Sequence, residues 1–344
     1  MKRKAITAAK FLVPLLILAW LAYDVPRKDP EMLTRLTEQP KNWGALAAAL
    51  GVCFTAICLS FVRWYLLIRA LEIPFRLRDA VRLGFLAYLL NFVSLGALGG
   101  DLFKAVFVVR DCPGRRAEAV ATILVDRILG LFALLLIASA ATLMMMVRRP
   151  EYSDLRGFAW VCWALTAVAM VMGGLLFVPR WSVTGLVRSL ERLPAVGPVL
   201  YRVEAGLSLF RRRPQLLGGA ILTALGVHFL LATSVYLTAR GLLPIAPSWD
   251  EHLLIWPIAG AANAIPFSPA GLGQMEEAMR QLYMRIPETP MQGQNDGLVV
   301  AFSYRLMTMA VAAVGMIFYW VSRREVRAAL DEAEHVGETQ HLSR

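Results

Sequence analysis

The chain has 344 residues, of which 58% are hydrophobic and 18% charged, with a mean hydropathy of +0.55 and a formal net charge of +11. Its apolar residues gather into long blocks, most near the roughly 20 residues that cross ~30 Å of hydrocarbon, which excludes a soluble enzyme and predicts an all-α polytopic membrane protein. The Lys and Arg residues fall in short stretches between those blocks, so the positive charge reads as a topology signal and a contact with anionic lipid, not as affinity for nucleic acid.

In chain order, Met1-Lys2-Arg3-Lys4 precedes an apolar run, Phe11 to Tyr23. Bulky Trp20 spoils a small-x-small cleavage pattern, so this run is expected to stay as a first span. A second block runs from Trp43 to Val62. The next, about 83–110, is broken by Ser94-Leu95-Gly96-Ala97-Leu98-Gly99-Gly100-Asp101. Gly96, Gly99 and Gly100 are expected to end one half-helix, with Asp101 capping the next and Lys104 on the same face one turn on. Two roles stay open there: the tip neutralises itself, or its amides and Lys104 bind a lipid phosphate.

Ala119 to Val147 forms a further span. Counted from near Ala117, Asp126-Arg127 lies about nine residues in, ~13 Å deep at 1.5 Å per residue. After Phe158 to Val178, residues 179–214 read as a cytoplasmic connector. Trp181, Val183, Leu186, Val187 and Leu190 recur at near-helical spacing there, as in an amphipathic helix on the inner leaflet or a linker packed on the protein. His228 lies alone in the block Leu216 to Ala239 and reads as a packing or interhelical hydrogen-bonding residue.

A second interrupted block, about 253–285, holds Pro266, Pro269, Gly271 and Gly273, a combination no continuous helix tolerates. The helix that follows opens with Glu276 and Glu277, and Glu276 to Arg280 has favourable i,i+4 order. Two roles stay open for Glu276, a capped, paired helix start or a binding group; a charge this deep costs ~2.5–3.5 kcal/mol or more at the span centre, which favours function. Arg305 lies inside the last block, Leu298 to Val321, and residues 326–344 form a charged tail. Arg127 and Arg305 could each be structural ion-pair partners, or could hold phosphate with the bidentate guanidinium fork. Most tryptophans, including Trp43, Trp64, Trp160, Trp249 and Trp320, fall near predicted span ends, as in an interfacial belt.

The interrupted blocks could be full spans, giving eight, or re-entrant hairpins beside six spans. With hairpins, Lys and Arg number 23 on inner segments and 10 on outer ones; with eight spans the split is 17 to 16. The positive-inside rule selects six transmembrane helices plus two re-entrant broken-helix hairpins, with both termini cytoplasmic. Three spans per half then make residues 1–147 and 148–325 an inverted repeat, with an inner and an outer hairpin as counterparts. Cys53, Cys58 and Cys162 lie in apolar blocks and Cys112 in a basic loop, so neither a disulfide framework nor a metal site is expected. No nucleophile elbow, phosphate loop or dinucleotide fingerprint is present, and no cofactor is expected.

Four elements are similar to one family. Gly96-x-x-Gly99-Gly100-Asp101-x-x-Lys104 resembles the Gly-x-x-Gly-Gly-Asp-x-x-Arg signature of the lysylphosphatidylglycerol synthase transmembrane-region family. Asp126-Arg127-Ile128-Leu129-Gly130 resembles its Glu-Arg-hydrophobic-hydrophobic-Gly element. Pro266 to Glu276 resembles its Pro-x-x-x-Gly-Gly-hydrophobic-Gly-x-x-Glu element, and Tyr304-Arg305-Leu306 its last-span Arg. Lys104, Asp126 and Ala270 depart from the family's Arg, Glu and Gly. The resemblance implies a flippase-like translocator of phospholipid, or of a related anionic or aminoacylated lipid, in a bacterial inner membrane. It implies no synthase activity, because no aminoacyltransferase domain follows Val321. The substrate-binding set would be Asp101, Lys104, Asp126, Arg127, Glu276, Arg280 and Arg305, with anionic phospholipid as the expected partner. The alternative is a non-transporting partner or scaffold of a lipid- or glycan-modifying enzyme, for which the basic connector speaks.

Overall fold

The computed structural model describes residues 38–93, 97–111, 116–148, 156–175, 213–264, 273–286 and 295–321. These form helices and no strand: α1 (Trp43–Ala70), α2 (Leu77–Val93), α3 (Ala97–Asp111), α4 (Arg116–Arg148), α5 (Arg156–Leu175), α6 (Pro214–Leu242), α7 (Trp249–Ala264), α8 (Gln274–Arg285) and α9 (Asp296–Val321). The expected first span, nearly all of the connector 179–214, the tail 326–344, and Gly96, Pro266, Pro269 and Gly271 lie outside the described residues.

The all-α expectation holds. Four helices are long and apolar enough to cross a membrane: α1, α4 from Val120, α6 and α9. Their sides carry exposed Leu131, Leu143, Leu222, Leu306 and Ile317. Rows of large apolar side chains on several helices suit hydrocarbon and would be an aggregation liability in water. Trp43, Trp160 and Trp320 are exposed near helix ends, as an interfacial belt requires. Trp64 is not part of that belt. It is fully buried, with its indole N–H 3.4 Å from Thr122 Oγ1 and its ring edge-on to Phe75.

The chain divides into two compact units. The first comprises Met1–Cys58, Arg82–Lys104 and Val227–Arg344; the second comprises Leu59–Val81 and Ala105–Gly226. In the first unit, Ala49, Cys53 and Ala56 recur along one face of α1 and are completely buried. Small residues at this spacing let another helix approach closely, and Ser234 of α6 donates to the Ala49 carbonyl at 2.9 Å. Phe85 of α2 stacks on Phe318 of α9 with centroids 5.5 Å apart. α8 packs against both α7 and α9, and α9 is the most buried of the four long apolar helices.

In the second unit, α4 and α5 pack as a pair. Their contact is pinned by polar groups: Ser139 and Thr166 hydroxyls lie 2.8 Å apart, and the Trp163 indole donates to the Ser139 carbonyl at 3.1 Å. Hydroxyls that bond across helices are a usual way to join them in lipid.

Candidate functional site

α8 starts directly after Gly273, whose φ of 85° is a left-handed conformation that glycine adopts without a Cβ clash. Three residues on, Glu276 points inward and is completely buried. Its Oε2 accepts the Gly273 N–H at 2.9 Å, so the carboxylate satisfies one free amide of the helix start. The same carboxylate receives Arg305 from the middle of α9: Nε donates to Oε1 at 2.8 Å and Nη2 to Oε2 at 3.2 Å. Arg305 Nη2 also lies 3.4 Å from Asn263 Oδ1, near the end of α7. Three elements thus converge on one bidentate ion pair.

The pair has a mixed surround. Tyr88 of α2 lies close to Arg305 and Thr308. Tyr304 is buried beside Arg305, edge-on to Trp256 at 5.5 Å. Trp256 in turn donates to His228 Nδ1 at 3.4 Å, which gives His228 the interhelical hydrogen bond expected of it. An ion pair in such surroundings is stabilised only while both partners stay: removing one leaves an uncompensated buried charge, at a cost of about 3–5 kcal/mol.

The second unit holds a comparable pair. Asp126 of α4 receives Arg63 of α1, with Nε to Oδ1 at 2.7 Å and Nη2 to Oδ2 at 3.1 Å. Both side chains are nearly buried. Gly130, one turn beyond Asp126, has its Cβ position 3.4 Å from Arg63 Nη1. Arg63 thus passes over Gly130 at ordinary van der Waals distance.

A family model described as the lysylphosphatidylglycerol synthase TM region matches residues 7–315. The chain belongs to that family. It is therefore a multi-pass membrane protein of a family connected with lipid modification or flipping. No curated protein and no solved structure matches it.

Against the signatures of the lysylphosphatidylglycerol synthase TM family, the expected site residues fall into three groups. Glu276 and Arg305 meet, as described. Asp126 is buried on Arg63, while Arg127 beside it is exposed. Asp101 and Lys104 are half-buried in α3, in the same unit as Glu276 and Arg305.

Two expectations need correction. Gly99 and Gly100 do not break a helix; they lie inside α3, which starts at Ala97. Asp101 is the fifth residue of that helix and so is not its cap. Gly100 is there for closeness: a Cβ would run into the Ala87 carbonyl of α2, and the Gly100 N–H donates to Asn91 Oδ1 at 3.0 Å. The other correction concerns Arg280, which pairs with Glu277 and not Glu276, at 2.6 Å. Glu276 is turned toward α9, and successive helix positions lie about 100° apart, so the neighbouring Glu277 is the one on Arg280's side.

Sequence reasoning missed Arg63 and Asn263. The second apolar block ends at Val62, which puts Arg63 on the inner segment that follows, but α1 continues to Ala70 and buries it. The signal was available: apolar residues resume after Arg63, from Trp64 to Ile68. Asn263 carried no such signal, since an amide in a Gly- and Ala-rich stretch has no distinctive pattern.

Proposed function

We propose that this protein translocates an anionic or aminoacylated phospholipid across the inner membrane, and that the Glu276–Arg305 pair handles the headgroup. The observation that carries this reading is the buried bidentate pair at the start of α8, directly after the left-handed Gly273. Broken helices that set charged groups deep in a membrane protein are the recurring construction of transport sites. A lipid phosphodiester offers Arg305 two non-bridging oxygens for the bidentate contact that the Glu276 carboxylate makes now. When phosphate takes the guanidinium, Glu276 is released to accept a headgroup hydroxyl or ammonium, and Asn263 stays as a neutral hydrogen-bonding wall. The lipid tails remain in hydrocarbon throughout, so only the headgroup needs a polar path.

On this reading the protein acts as a transporter and not as a catalyst, needs no cofactor, and has both termini in the cytoplasm. The Lys and Arg distribution supports that orientation. The test is reconstitution into liposomes carrying fluorescent phosphatidylglycerol, lysylphosphatidylglycerol or phosphatidylethanolamine in one leaflet. Faster exchange than in protein-free liposomes is expected for at least one of the three. Exchange at the protein-free rate for all three would refute the proposal.

A further inference from the structure

The second unit contains a cavity of about 920 Å³ where α1 ends and α6 begins. Part of its wall is apolar, from Leu66, Ile73 and Leu216. The rest is polar, from Tyr65, Arg69, Glu72 and Arg213. None of these residues takes part in either buried ion pair.

Glu72 is the one non-glycine residue with positive φ among the described residues, at 58°. It follows the last turn of α1, a position glycine usually fills because a Cβ is disfavoured there. Non-glycine residues held this way persist where the surroundings enforce them, often at ligand sites. Here the turn brings the Glu72 carboxylate to Arg213, with Nη2 to Oε1 at 2.8 Å. That contact uses one of the five N–H donors of the guanidinium, and the others stay available to a second acceptor. Arg69, in the last turn of α1, is exposed and makes no side-chain hydrogen bond or ion pair among the described residues.

Among the described lining residues, two guanidinium groups and one carboxylate leave one net positive charge, which matches a single phosphodiester anion. The location selects the source of that phosphate. Both α1 and α6 are apolar enough to cross a membrane. The end of one and the start of the other therefore lie at the membrane–water boundary, the depth of lipid phosphates. Tyr65 suits the same boundary.

We propose that this cavity docks the phosphodiester headgroup of an anionic phospholipid. Arg69 and Arg213 hold the phosphate, and Leu66, Ile73 and Leu216 meet the glycerol and first acyl carbons. Glu72 positions Arg213 and holds the site at one net positive charge. This site is separate from the Glu276–Arg305 pair, and binding here does not depend on translocation.

The test is native mass spectrometry of the full chain in detergent, titrated with dioleoyl phosphatidylglycerol, dioleoyl phosphatidylcholine or glycerol 3-phosphate. Phosphatidylglycerol should be retained over phosphatidylcholine, and glycerol 3-phosphate should not be retained. Arg69→Ala with Arg213→Ala should weaken phosphatidylglycerol binding about tenfold, as expected for lost charge-assisted hydrogen bonds. Glu72→Gly suits the left-handed turn and frees Arg213, so this folded variant should bind phosphatidylglycerol more tightly. Unchanged binding by the double variant, or weaker binding by Glu72→Gly, would overturn the proposal. Glycerol 3-phosphate bound as tightly as the lipid would overturn the lipid assignment.

Discussion

At the scale of single residues, the carboxylate of Glu276 has two tasks. It accepts the Gly273 N–H at the start of α8 and pairs with Arg305. Its Oε2 accepts from both the Gly273 N–H and Arg305 Nη2, while Oε1 accepts from Arg305 Nε. Arg305→Ala should therefore lower stability by about 3–5 kcal/mol, because Glu276 is left buried without its cation. Replacing both partners, Glu276→Leu with Arg305→Met, should recover most of that loss, since well-packed apolar residues often match a buried ion pair. Thermal unfolding in detergent would check both, and a double variant no more stable than Arg305→Ala would contradict the expectation. The acidic and basic members of these pairs were legible because charge inside an apolar run is costly and rare. Their partners were not. Whether Arg63 ends a span or lies inside one depends on where α1 stops, and which carboxylate meets Arg305 depends on how α8 packs on α9.

At the scale of elements, the glycines of α3 separate two meanings that the same residue can have. Gly-Gly was expected to stop a helix, and it lies inside one because α2 passes too close for a side chain. Glycine is a weak helix former, and Ala is better by ~1 kcal/mol in an exposed helix interior. Gly100→Ala should nonetheless destabilise, since its Cβ would meet the Ala87 carbonyl. Gly51→Ala in α1 meets nothing within 4 Å and should be neutral or stabilising. Unfolding midpoints of the two variants should move in opposite directions or leave Gly51→Ala unmoved; a stabilised Gly100→Ala would show that α2 and α3 are further apart. The start of α8 was easier to read, because Gly273 directly precedes it and Glu276 follows in its first turn.

At the scale of the whole molecule, composition alone identified a helical membrane protein, and the long apolar helices agree. Topology is a finer question. Moving Arg63 from an inner loop into the span lowers the inner count by one for either topology, so the preference for hairpins is unchanged. Single cysteines in a cysteine-free background would test it with a membrane-impermeant thiol reagent. Arg148→Cys should label from outside, while Arg76→Cys and Asp111→Cys should not; outside labelling of Asp111→Cys would establish eight spans. The central claim is that the headgroup of a translocated lipid is handled by the Glu276–Arg305 pair. Its most direct test is lipid exchange in liposomes containing the folded double variant, Glu276→Leu with Arg305→Met. The predicted rate is that of protein-free liposomes. Exchange at the rate of the unmodified protein would contradict the claim.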